Sequence, residues 1–362
     1  MASSLTISPK IERFGNSTEA PDISVIILNY NGEKWLAKCF ESLQAQSLLR
    51  HTEIIFADNS STDNSVALAR QYLAGFPIAS LVHNGGNLGF CAGNNVPART
   101  AKGEFLFFLN PDAWVEPDCL QKLLAEVRRN NATAATPWIL NYADDSHQDL
   151  GFFGFDLFGL PSPSRPSPVT REVFIAAGCA FFMRAQAFAE LGGFDEEFFM
   201  YSDEVDLSWR TWITGGTIIG VPQARVHHRG AAAANPEGGA QTVEFRTNDK
   251  KRFLSNRNNL LTLLKSGQHL LLLTLIPLLF LFIAETLFVC LLLRRASFLK
   301  LTLAEALKDC WRLRHHIRAE RRKLAARRKR SDFGMLRFFR WRLNRWFEIK
   351  RLFHFNKLQI DR

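Results

Sequence analysis

The chain has 362 residues, 47% hydrophobic and 22% charged, which excludes a disordered or fibrous chain and permits one large domain with an extension. Its net charge of +10 is unevenly placed: residues 294–362 carry 22 Lys/Arg against 6 Asp/Glu, and the preceding residues are mildly acidic. Such asymmetry directs the C-terminal part toward an anionic partner, nucleic acid or lipid.

In chain order, residues 1–21 are polar and read as a flexible leader without the apolar run of a secretory signal. The six cysteines are scattered, with no C-x-x-C pair, as expected of free thiols in a reducing compartment. From Asp22 onward, short β-rich runs alternate with helical ones. Strands are predicted at Ile23–Leu28, Glu53–Ala57, Ala79–Val82, Glu104–Leu109 and Ala134–Leu140, and helices at Glu33–Gln46, Ser65–Leu73, Cys91–Ala101 and Pro117–Arg129. This order predicts an α/β fold: a Rossmann-like, mostly parallel sheet with helices on both faces. Residues 141–172, rich in Gly, Phe, Pro and Ser, read as a long loop or lid before order returns at Val173–Met183.

Residues 269–293 form an apolar stretch with one charge, Glu285, and one proline, Pro277. A bilayer span needs about 20 such residues. A single span would carry the basic tail away from the cytoplasm, against the positive-inside tendency. The reading is therefore a re-entrant or in-plane segment, with the tail on an anionic membrane surface at the cytoplasmic leaflet. The tail mixes Arg/Lys with Trp311, Trp341, Trp346 and several Phe, which suits either nucleobase stacking or a lipid interface. The adjoining apolar run decides for lipid and against nucleic acid. The resulting division is a leader at 1–21, a catalytic domain at 22–265, a hydrophobic segment at 266–295 and a helical basic tail at 296–362.

Ligands of such sheets bind beyond the carboxyl ends of the strands, and five segments fall there. Leu28-Asn29-Tyr30-Asn31-Gly32 offers a tyrosine that can lie against a nucleobase. In Ala57-Asp58-Asn59-Ser60-Ser61, Asp58 can accept hydrogen bonds from a base or ribose. In Asn84-Gly85-Gly86-Asn87-Leu88-Gly89-Phe90, Asn87 and Gly89 allow close approach to a ligand, although the spacing is not G-x-G-x-x-G. In Phe107-Phe108-Leu109-Asn110-Pro111-Asp112, a carboxylate follows an apolar strand, as a Mg²⁺ or Mn²⁺ site for a diphosphate leaving group requires. Finally, Asp203, Glu204 and Asp206 crowd like charges, which raises a carboxylate pKa and suits a general base; Asp206 and Arg210 are spaced to pair. His227 and His228 follow, either of them a candidate metal ligand.

The ordered set V-I-I-L-N-Y-N, A-D-N-S-S-T-D, G-N-L-G-F, F-L-N-P-D-A, G-G-F-D-E-x-F-F-M-Y-x-D-E-V-D-L-x-W-R and V-H-H-x-G resembles glycosyltransferase family 2, in its bacterial rhamnosyltransferase-like branch, over about residues 22–265. The resemblance implies a GT-A fold and an inverting enzyme with a metal-bound nucleoside diphosphate. By position, Tyr30 and Asp58 hold the nucleoside, with Asn87, Gly89, Asn110 and Arg210 also in the donor site. Asp112 matches the last Asp of the D-x-D motif, Glu204 the catalytic base with Asp203 before it, and His227 a metal-holding histidine. Two departures stand out: Asn110 replaces the first D-x-D acid, and the acidic pair reads Asp-Glu rather than Glu-Asp, which leaves Asp203 as the alternative base. The Q-x-x-R-W signature of processive relatives is absent, as in an enzyme that adds one sugar. The implied donor is deoxythymidine diphosphate rhamnose, with a uridine diphosphate sugar second; the implied acceptor is a lipid-linked saccharide. The rival readings are a nucleotidyltransferase, which lacks its Gly/Arg loop here, and a non-catalytic membrane or nucleic-acid binding protein.

Overall fold

A computed structural model describes residues 9–156, 159–163, 166–230, 249–293 and 303–341. The parts of the sequence-defined tail beyond 341 lie outside the described residues.

Chain order runs β1 (Lys10–Phe14), β2 (Ile23–Asn29), α1 (Glu33–Gln44), β3 (Thr52–Asp58), α2 (Ser65–Leu73), β4 (Ala79–His83), α3 (Gly89–Ala98), β5 (Phe105–Leu109), β6 (Ala113–Val115), α4 (Cys119–Arg129) and β7 (Ala134–Asn141). Short strands β8 (His147–Asp149), β9 (Phe152–Phe155), β10 (Pro161–Pro163) and β11 (Arg171–Glu172) follow, then β12 (Ala180–Arg184), α5 (Ala185–Leu191), α6 (Asp203–Ile213) and β13 (Ile218–His228). The chain then enters α7 (Asp249–Ser266), α8 (Leu275–Leu293), α9 (Glu305–Arg312), α10 (Arg314–Arg327) and α11 (Asp332–Met335).

The main sheet has the order β1-β4-β3-β2-β5-β12-β7-β13-β11. Strands β4, β3, β2 and β5 are parallel, and their side chains are buried almost throughout, as expected of strands covered on both faces. The sheet is parallel-rich but not wholly parallel, because β12 enters antiparallel between β5 and β7. Its pairing Ala180↔Leu109 sets the start of β12 beside the end of β5, so the residues just before β12 join the ligand edge.

Two corrections concern the ends of the domain. The second half of the leader is the edge strand β1, paired with β4 and fixed by Glu12, which binds Arg70 and His83 at 2.8 Å each. The tail, over its described residues, is folded against the catalytic body. Arg321 donates to the carbonyls of Leu264 and Gly267, and Arg330 to those of Trp212 and Gly216. Asp332 accepts from the amides of Gln268 and Leu271. Phe338 is buried against Trp212 and Phe174, with ring centroids 4.5 and 4.8 Å away. Pairs of this kind add about 0.5–1.5 kcal/mol each beyond their buried area. These guanidiniums therefore serve as structural forks for main-chain oxygens.

No helix among the described residues is long and apolar enough to cross a membrane. Pro277 lies in the first turn of α8, where its missing amide costs little, and so does not break the helix.

Candidate active site

Three loops beyond β2, β3 and β4 are stitched edge to edge. Asn29 Nδ2 and the Asn31 amide donate to Ser61 Oγ at 3.0 Å, and Asn31 Oδ1 accepts from the Thr62 amide at 2.7 Å. Asn59 Nδ2 donates to the Gly89 carbonyl at 3.0 Å, and Asn84 Nδ2 to Asn59 Oδ1 at 2.8 Å. On this frame Tyr30 stands 52% exposed at the edge of the sheet. Asp58 is buried and accepts from the amides of Ser60 and Ser61 at 3.1 and 3.2 Å. A carboxylate has about four acceptor positions, so these turn bonds leave capacity for a ligand.

The third loop departs from its sequence reading. Asn87 Oδ1 accepts from the Gly89 amide, holding its own turn. Gly89 has φ +74, and a Cβ there would lie 2.5 Å from the Phe199 carbonyl. The glycine thus serves a close backbone approach to the segment before α6 rather than to a ligand. The Phe90 and Cys91 amides both donate to that Phe199 oxygen.

Asp112, Asn110 and a histidine meet beyond β5. The histidine is His228, not His227. Successive strand residues face opposite sides, and the register His228↔Ala113 sends His228 toward the D-x-D-like turn. Its Nε2 lies 3.5 Å from Asp112 Oδ1 and 3.4 Å from Asn110 Nδ2, and its Nδ1 is 3.3 Å from Gln148 Oε1. His227 stacks flat on Trp114, centroids 3.6 Å apart, and lines a separate pocket of about 200 Å³ with Glu116, Trp138, Leu140, Asp145 and Arg225.

Burial works to raise the Asp112 pKa, but the His228 charge, the hydrogen bond to it and the Arg229 charge outweigh burial and lower it. Burial likewise works against a charged His228, yet Cys179 and Asp112 beside it lift its pKa well above the usual histidine range.

From this pair a run of contacts leads to the acids of α6. Cys179 lies beside His228, and its carbonyl accepts from the Asn110 amide at 2.9 Å. The next residue back, Gly178, lies directly against Glu204: a Cβ there would meet the carboxyl group at 3.4 Å. The structure therefore brings Asn110, Asp112 and Glu204 to one edge of the sheet.

Burial pushes the Glu204 carboxyl up to about 8, with further repulsion from Asp203 and Asp149. Burial lifts Asp203 to about 7, against hydrogen bonds from the main-chain amides of Tyr201, Asp203 and Glu204. Asp203 is thus tied to its own turn, and the Glu204 carboxyl group lies against Gly178.

Arg210 does not belong to the donor site. It is 6% exposed, its Nε donates to Asp206 Oδ2 at 2.8 Å and its Nη1 to the Leu191 carbonyl at 2.9 Å. Asp206 also binds Lys265 of α7 at 2.9 Å, so that acid anchors a helix. Sequence reasoning left His227 and His228 both open as metal ligands, with the resemblance favouring His227, and it missed Gln148, Asp149, Gly178 and Arg229. Only the V-H-H-R-G run signalled any of them.

A parallel-rich sheet carrying one acid beyond β5 and a second at the start of α6 has the architecture of a GT-A fold. Residues 24–192 match the glycosyl transferase family 2 model. It is 26% identical over 263 residues, 65% of this chain and 96% of that protein, to the rhamnosyltransferase WbbL of Escherichia coli. It is 26% identical over 237 residues, 57% and 76% of the two chains, to the N-acetylglucosaminyl-diphospho-decaprenol L-rhamnosyltransferase of Mycobacterium tuberculosis. Three other bacterial and archaeal relatives are matched over only 18%, 30% and 62% of their own lengths. Among solved structures, the Pyrobaculum calidifontis mannosyltransferase PcManGT, in complex with GDP-Man and Mn²⁺, superposes with a TM-score of 0.51 at 16% identity, covering 85% of this chain and 87% of that one. That likeness concerns the fold.

Proposed function

We propose that this glycosyltransferase moves one sugar, with inversion, from a nucleoside-diphosphate sugar to a lipid-linked saccharide in cell-surface glycan synthesis. Deoxythymidine diphosphate rhamnose is the first-choice donor and a uridine diphosphate sugar the second. The observation that supports this reading is the run Asp112–His228–Cys179–Gly178–Glu204, in which His228 Nε2 lies 3.5 Å from Asp112 Oδ1, Cys179 lies beside His228 and Gly178 lies against the Glu204 carboxyl group.

The donor set fits Mn²⁺ or Mg²⁺. Adjacent ligands of such an ion, each at about 2.1 Å, lie roughly 3 Å apart, close to the 3.5 Å between Asp112 Oδ1 and His228 Nε2. The Gln148 contact orients the imidazole as outer partners of metal ligands do. The described residues contain no group of three or more His, Cys, Asp or Glu placed to hold a metal ion, so diphosphate and water would complete the shell. When bound, the ion supplies positive charge for the departing diphosphate. Tyr30 stacks on the base and Asp58 holds the nucleoside. Glu204 takes the proton of the acceptor hydroxyl, whose oxygen attacks the anomeric carbon from the opposite face. No protein acid is needed at the leaving group, unlike in glycoside hydrolysis.

A thermal-shift screen of dTDP-, UDP- and GDP-sugars with Mn²⁺ tests the donor. About 2.7 kcal/mol of stabilisation is expected at a hundredfold excess over Kd. Release of free nucleoside diphosphate on transfer confirms the reading; pyrophosphate as product overturns it in favour of a nucleotidyltransferase.

Attachment to the cytoplasmic face of the membrane is part of the proposal. Leu278 and Phe282 of α8 are buried, whereas Ile276, Phe280, Ile283 and Leu287, spaced along one stripe, are exposed. Phe280 is 69% exposed and Phe333 of α11 76%. Contiguous exposed apolar surface of this kind marks an interaction site. Burying one phenylalanine yields about 1.5–3 kcal/mol, so the double substitution Phe280→Asp, Phe333→Asp is expected to weaken flotation with anionic phospholipid vesicles by tenfold or more. Unchanged flotation would refute the membrane-facing assignment.

A further inference from the structure

The segment that delivers Glu204 is strained. Phe199, Tyr201 and Ser202 have φ values of 61°, 70° and 57°, in the left-handed region that side chains disfavour. Such residues persist only where their surroundings fix them. What fixes this segment is the neighbouring pair Arg257 and Asn258 on α7.

Asn258 is fully buried, and its Nδ2 donates to the carbonyls of Phe198, Met200 and Tyr201 at 3.1, 2.9 and 2.7 Å. Arg257 Nη2 donates to the carbonyls of Glu197 and Phe198 at 2.7 and 3.1 Å. Its Nη1 binds Asp309 of α9 at 3.1 Å, and its Nε donates to Asn258 Oδ1 at 3.0 Å. The pair thus satisfies most of the turn's inward carbonyls and is itself held by the C-terminal helices. The turn's far side is clamped by the Phe90 and Cys91 amides on the Phe199 carbonyl.

We infer that Asn258, oriented by Arg257 and through it by Asp309, is the positioning residue that aims Glu204 at the acceptor hydroxyl. This rests on the base assignment made above. Asn258 touches neither the donor loops nor the Asp112–His228 pair, so its action is confined to the geometry of the turn. Misplacing a reacting group by about 1 Å costs on the order of a hundredfold in rate. Removing the amide while leaving the cation pair intact should therefore separate turnover from donor binding.

The test compares Asn258→Ala, Asn258→Asp and the milder Asp309→Asn with wild-type protein, using dTDP-rhamnose or the sugar nucleotide chosen by the screen, Mn²⁺ and a lipid-linked saccharide acceptor. Turnover by wild type in the same assay separates failure of this inference from failure of the functional reading. The expected result is a kcat loss of about 30- to 100-fold for the Asn258 variants, with donor KM within about twofold. Asp309→Asn, which leaves the Asn258 amide in place, should lose about three- to tenfold by the same argument and keeps the test valid if the Asn258 variants do not fold. Unchanged kcat in a folded variant, or a rise in donor KM that matches the loss in kcat, overturns the assignment.

Discussion

Glu204→Gln is expected to reduce sugar transfer by about 10²–10⁴-fold, the range a positioned base contributes, while donor affinity measured by calorimetry stays unchanged. The amide keeps the size of the side chain against Gly178 and removes only proton acceptance. The pH dependence carries the same signature. The base must be ionised to act, and burial holds Glu204 near 8 and Asp203 near 7. In wild-type enzyme the acid limb of kcat/KM should therefore fall between about 7 and about 8, well above an ordinary carboxylate. The stability effect has the opposite sign. A native-state pKa raised from 4.5 means that folding favours the protonated form, so stability is full below the unfolded value and declines as pH rises through about 8. Glu204→Gln removes that decline. Its melting temperature should match wild type at about pH 4 and exceed it by several degrees at about pH 9. A variant with near wild-type turnover, or an acid limb near 4, removes Glu204 from the mechanism.

The second large effect is expected at the cation pair. Asp112→Ala and His228→Ala should each lower Mn²⁺-dependent affinity for a nucleoside diphosphate by about a hundredfold or more, since changes even one shell further out cost 10–100-fold. Calorimetry with UDP and dTDP, with and without Mn²⁺, measures this directly. His227→Ala is the decisive control. Its ring stacks on Trp114 and lines a different pocket, so donor affinity should remain within about twofold of wild type. Equal losses at 227 and 228 would show that the strand's register does not choose between them.

Much of the sheet was legible because its evidence is local. The apolar run from Ile23 became β2 and the Ser65–Leu73 helix appears with the same bounds. The acids at 112 and 204 were legible because each follows an apolar element at the ligand edge. What failed was non-local. The sequence shows order returning at Val173–Met183, but nothing in Ala180–Arg184 says that a strand there inserts antiparallel beside β5. Choosing His228 over His227 needs the pairing with β6, and adjacent identical residues carry no periodicity. Arg210 was misread because a buried ion pair and a ligand contact look alike in sequence; its partner Asp206 was visible, but Lys265 and the Leu191 carbonyl were not. Gly89 was read as facing a ligand for the same reason: a tight approach requires glycine whether the visitor is a phosphate or Phe199. The basic tail was only partly legible. Its charge suggested a surface partner, but charge alone does not show that Arg321, Arg328 and Arg330 donate to carbonyls of the body that precedes them.

That last arrangement bears on how the chain is made. The aromatic cluster around Trp212 and Phe174 is closed by Phe338, more than a hundred positions downstream. A ribosome releases α8, with its apolar stripe, well before it releases the residues that seal the cluster. During synthesis an incomplete body therefore presents two greasy surfaces at once, a state prone to association. Early capture of the emerging α8 by a bilayer would shelter one of them until the closing residues arrive.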